Sequence, residues 1–119
     1  MIILWDATKF SRLKTIQLPG SVEALISTSP TDLYLALSPS DIRYFNLEIQ
    51  QLSKKSMLSL GSDETVISFH SLNHNHSHPN YGFWISTLSS SVYHVGKKVD
   101  GDKKNPALQI NKQVNINKE

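Results

Sequence analysis

With 119 residues, 39% of them hydrophobic and none of them cysteine, the chain holds one domain's worth of material. It can build neither a disulfide framework nor a cysteine-type zinc site. A formal net charge of +2 is too small to single out nucleic acid, and the apolar runs fall short of a signal-peptide core or a membrane span. The expectation is a soluble chain of the cytoplasm or nucleus, with no membrane partner.

In chain order, Ile2 to Asp6 (IILWD) reads as a strand of β-branched and large apolar residues. LKTIQL at 13–18 alternates as an outer strand does, and Pro19-Gly20-Ser21 stops it. VEALIS at 22–27 is a strand, and Ser29-Pro30-Thr31-Asp32 turns into the most apolar stretch of the chain. There, Leu33–Leu37 and Ile42–Leu47 read as two strands joined by Ser38-Pro39-Ser40-Asp41. Both are apolar at nearly every position, so both faces of their sheet need cover, which calls for sheets stacked on each side. KKSMLSL at 54–60, TVISFHSL at 65–72, GFWISTL at 82–88 and SVYHV at 91–95 read as further strands, with NHNHSHPN at 73–80 as an insertion loop. A last strand over Ala107–Val114 is the remaining option, and no segment carries the 3.6-residue period of a helix.

The pattern recurs. IILWD at 2–6 aligns with IRYFN at 42–46, forty positions on, and LKTIQLPGSVEALIS aligns with KSMLSLGSDETVISF after a small shift. This resembles the WD-repeat family of β-propellers, whose blades are four-stranded antiparallel sheets of roughly 40 to 45 residues. Trp5-Asp6 stands where the family's Trp-Asp closes the third strand, with Phe45-Asn46 as a degenerate copy. Gly20-Ser21 and Gly61-Ser62 stand in place of Gly-His, and Asp41 stands where the family buries a structural Asp. No His follows Gly20 or Gly61, so the family's bracing His–Asp bond has no donor here.

The resemblance implies an all-β fold, a partial WD-repeat-like propeller of antiparallel blades over residues 1–96. It divides into a blade remnant at 1–18, a full blade at 22–60 and an incomplete blade at 65–96, with a flexible basic tail at 97–119. Fewer than about three repeats leave apolar faces in water, so the chain is expected to be a fragment or one piece of a composite assembly.

Candidate sites are few. His74, His76 and His78 alternate in the insertion loop, and neutral imidazoles suit zinc or copper. No Asp or Cys stands beside them to complete a site, so a polar loop is the preferred reading and no cofactor is assigned. There is no nucleophile elbow, phosphate loop or H-E-x-x-H, which argues against an enzyme. His70 and His94 are read as sheet residues, and Trp5, Phe45, Phe83 and Trp84 as core. Arg43 and Tyr44 are the residue types that dominate binding hot spots and are candidates for a protein-binding anchor, with packing between blades as the competing reading.

The leading expectation is a non-catalytic protein–protein interaction scaffold within a multi-subunit complex. A second is a subunit of an RNA-processing or other nucleic-acid-associated complex, making weak contact through Lys97, Lys98, Lys103 and Lys104. A third is a His-rich metal-binding β-protein.

Overall fold

The computed structural model describes residues 1–60, 64–71, 82–98 and 107–116, and among these there are ten strands and no helix. β1 (Ile2–Asp6) and β2 (Ser11–Ile16) form an antiparallel ribbon. β3 (Val22–Ser27), β4 (Asp32–Leu37), β5 (Asp41–Asn46) and β6 (Gln51–Leu52) form a first four-stranded antiparallel meander. β7 (Val66–His70), β8 (Gly82–Thr87), β9 (Ser91–Lys97) and β10 (Leu108–Asn115) form a second one, in the same order.

The continuous apolar character of β4 and β5 has a direct structural consequence. Tyr34, Ala36, Ile42 and Tyr44 point to one side, and Leu35, Leu37 and Phe45 point to the other; all are buried. The first group packs against Val66, Phe83, Ile85, Tyr93, Val95 and Leu108 of the second sheet. Rings bridge the joint: Tyr34 lies 5.4 Å from Tyr44 and 5.7 Å from Phe83, and Phe83 meets Phe69 edge-on at 5.1 Å. Each such side chain contributes about 1.5–3 kcal/mol through burial, so this joint is the main cohesive element between the two sheets. The ribbon lies beside the other end of the first sheet, where Lys14 of β2 donates to the carbonyl of Gln50 at 3.1 Å.

Three expectations need correcting. The outer strand expected at 54–60 is only Gln51–Leu52, followed by a bulge and a single bridge from Leu58 to Ile42. The cause is serine chemistry: the Ser53 and Ser56 hydroxyls accept the β5 amides of Tyr44 and Ile42, where backbone carbonyls would otherwise do so. Trp5 is 57% exposed and not core, because it faces outward from a ribbon of two strands only. Trp84 is half-buried on the outward side of the second sheet, where its ring meets that of His94.

Part of the stretch read as a flexible tail is β10, which supplies the fourth strand of the second sheet. Leu108 is buried in the joint, and its amide donates to the carbonyl of Met57 at 3.1 Å.

Two local structures recur. At the end of β1, Asp6 Oδ1 accepts the amides of Thr8 and Lys9 at 2.8 and 3.0 Å, and Phe10 has φ 53°. At the end of β5, Asn46 Oδ1 accepts the amides of Glu48 and Ile49 at 2.8 and 3.2 Å, and Gln50 has φ 55°. The same Asx turn thus closes β1 and β5, forty positions apart. Likewise β3 and β7 each begin with a register shift, at Val22/Ala24 and Val66/Ser68. The carbonyl of the residue before each, Ser21 or Thr65, accepts the amide of the residue just beyond the end of the next strand, Ser38 or Leu88.

Candidate functional site

The sheets are joined by a polar bridge as well as by rings. Asp32, at the start of β4, accepts the Tyr44 hydroxyl on Oδ1 at 2.5 Å and the Lys97 ammonium on Oδ2 at 2.8 Å. Its own amide is held by Ser29 Oγ at 3.1 Å. Burial pushes the Asp32 carboxyl up, but the Lys97 and Tyr44 hydrogen bonds outweigh it and leave the group below its ordinary value. Burial, reinforced by the Asp32 carboxylate, raises Tyr44 far above an ordinary phenol, and burial likewise raises Tyr34. Tyr44 therefore stays protonated and remains a donor across the physiological range.

Arg43 and Tyr44 occupy inward positions. Tyr44 is 2% exposed, so a partner cannot reach it as an anchor. Arg43 is half-buried; its Nε sits 3.0 and 2.9 Å from the two carboxylate oxygens of Asp41, and its Nη1 donates to the carbonyls of Ser53 and Lys54. Its fork thereby clamps the bulge beside β6. Asp41 is half-buried. Asp6 makes the turn described above.

Two surfaces lie away from the joint. On the ribbon, Ile3, Trp5 and Leu13 are exposed large apolar side chains, and the Arg12 guanidinium lies 5.7 Å from the Trp5 ring centre. On the outward side of the second sheet, the Trp84 and His94 rings meet with centroids 4.9 Å apart and a tilt of 57°, and Asn111 of β10 meets His94 Nδ1 at 3.3 Å. Gly82 is required beneath them: a Cβ there would come within 3.0 Å of the His94 ring and 2.5 Å of the Val95 carbonyl. Beside that pair, Ser68 Oγ lies 2.6 Å from His70 Nε2 and 2.8 Å from Ser86 Oγ.

A groove of about 610 Å³ also runs along β6, with Ile49, Leu52 and Met57 on its apolar side and Lys54 and Lys55 on its basic side. Among the described residues, no three His, Asp or Glu side chains converge in a way that would hold a metal ion. Among the same residues, no helix is long and apolar enough to cross a membrane.

His74, His76 and His78 lie outside the described residues, as do Gly61, Ser62, Lys103 and Lys104. Lys98 is exposed at the end of β9, and Lys97 is engaged by Asp32. The bridge itself escaped sequence reasoning, because Asp32 and Lys97 stand 65 positions apart with no shared motif. Comparison with family models, curated proteins and solved structures finds no match, so any functional reading rests on the chain's own residues.

Proposed function

We propose that the chain is a non-catalytic, protein-binding scaffold built on the plan of a WD-repeat-like β-propeller, acting inside the cell as part of a larger assembly. The observation that carries this reading is the recurrent Asx turn at Asp6 and Asn46, each followed by a left-handed residue four positions on. Repetition of a turn on successive sheets is what a one-dimensional array of equivalent units requires. An array presents unsatisfied apolar surface at its ends unless capped, and Ile3, Trp5 and Leu13 provide such surface at one end. In this reading the Ser68–His70–Ser86 cluster is hydrogen bonding across a sheet face, and Arg43 and Asp41 hold a unit's outer edge.

The test is association. Sedimentation velocity of the chain should show concentration-dependent self-association at micromolar concentrations, and the double variant Ile3→Lys/Leu13→Lys should sediment as a monomer with unchanged circular dichroism. A wild-type chain that stays monomeric into the millimolar range would defeat the reading.

A further inference from the structure

We infer that the outer edge of β6 is a docking site for an extended peptide that alternates acidic and apolar residues, an inference that deepens the protein-binding reading above and rests on it. Gln51 and Leu52 oppose Asn46 and Phe45 in the β5–β6 ladder. The Ser53 amide donates to the Tyr44 carbonyl at 2.7 Å, so strand alternation turns the amide and carbonyl of Leu52 away from β5, to the open side. The Gln50 carbonyl, two residues earlier, faces the same side, where Lys14 of β2 donates to it.

Two hollows flank this edge, one of about 610 Å³ and one of about 570 Å³, and Gln51, Leu52 and Lys54 line both. The first has Ile49 and Met57 on its apolar side and Lys55 beside Lys54; the second adds Lys14. Among the described residues no carboxylate lines either hollow, and the ion pairs engage Arg43 and Lys97 but none of these three lysines. The ligand that complements the edge is therefore anionic and partly apolar. The outward-facing main-chain groups of β6 call for a peptide, because they pair with a peptide backbone and not with a lipid tail. Nucleic acid lacks a platform here: among the described lining residues the aromatic one, Tyr44, is 2% exposed and offers no face on which a base can stack. Successive side chains of an extended peptide point to opposite faces, so alternate acidic and apolar residues meet the lysines and the Ile49–Met57 side at once.

The probe is a fluorescein-labelled peptide of sequence DLEVDLE, titrated against the full chain and followed by fluorescence anisotropy. Its binding should weaken steeply between about 0.02 M and about 0.3 M salt, and it should slow hydrogen exchange at the Leu52 amide. Lys54→Glu/Lys55→Glu, at two exposed positions, should lower its affinity by roughly tenfold or more while exchange across β4 and β8 stays as in wild type. The charge-reversed peptide KLKVKLK should pass over wild type and bind the double variant. Absence of binding, unchanged affinity in the double variant, equal binding of KLKVKLK to wild type, or protection away from β6 would each overturn the inference. Displacement by dodecanoate or by a thymidine decanucleotide at lower concentration than by unlabelled peptide would overturn it too, in favour of a lipid or a nucleic acid. Self-association through Ile3 and Leu13 is measured without peptide, so its persistence alongside any of those results would leave the scaffold reading in place.

Discussion

Lys97, the last residue of β9, places its ammonium 2.8 Å from Asp32 Oδ2 at the first residue of β4, and so ties the two four-stranded sheets at one end of their joint. The same carboxylate takes the Tyr44 hydroxyl, so one group serves both a charge from the neighbouring sheet and a phenol from its own. Removing the acceptor leaves a buried donor without a partner, whereas removing Lys97 leaves a carboxylate still held by Tyr44. Asp32→Ala should therefore cost about 1–3 kcal/mol and Lys97→Met about 0.5–1 kcal/mol, because the lysine is partly solvated. Chemical denaturation of both variants measures the difference.

The bridge also sets an acid dependence. The folded-state value of Asp32 lies below its ordinary value of 3.8, so its contribution is complete above the unfolded-state value and is lost as pH falls through the folded one. The stability gap between wild type and Asp32→Asn should be constant from pH 7 to about pH 5 and shrink below about pH 4. A gap that widens in acid would reverse the sign and disprove the assignment.

The recurrent turn predicts matched responses at two distant positions. Phe10 and Gln50 both carry a Cβ at positive φ, so Phe10→Gly and Gln50→Gly should each raise stability by up to about 1 kcal/mol. Asp6→Ala and Asn46→Ala should each lower it by about 1 kcal/mol through loss of the turn acceptor. Thermal unfolding of the four variants checks whether the pairs agree in sign and size. Opposite signs within a pair would break the equivalence of the two turns.

Much of this architecture was legible in the sequence, for a physical reason. The unbroken apolar character of β4 and β5 demands cover on both faces, and a strand period leaves no room for a helix. What escaped depends on neighbours. LQINKQVN is polar enough that the sequence offers a strand at Ala107–Val114 only as an option beside a flexible tail, and β10 forms because β9 offers a backbone edge and Leu108 reaches the joint. Trp5 reads as core by composition and lies exposed, because cover of a sheet face depends on packing from elsewhere in the fold that hydropathy does not report. The sequence leaves Arg43 open between a binding anchor and a contact between blades, and it does not report the bulge carbonyls of Ser53 and Lys54 to which Arg43 donates.

Close packing at the outward face of the second sheet yields a sharper test. Any side chain at position 82 meets the Val95 carbonyl and the His94 ring, so Gly82→Ala should destabilise by about 1–3 kcal/mol and disturb the Trp84 environment. Near-ultraviolet circular dichroism and denaturant midpoints report both effects together.

The two four-stranded sheets stack through a shared aromatic joint. The nuclear Overhauser contact between the rings of Tyr34 and Phe83, set 5.7 Å apart by centroid, probes that joint directly. Strong cross-peaks between these rings, with Phe69 protons contacting Phe83 as well, are the predicted result. Protected amides in both sheets with no contact between the two rings would mean that the sheets fold without stacking, and would contradict the account.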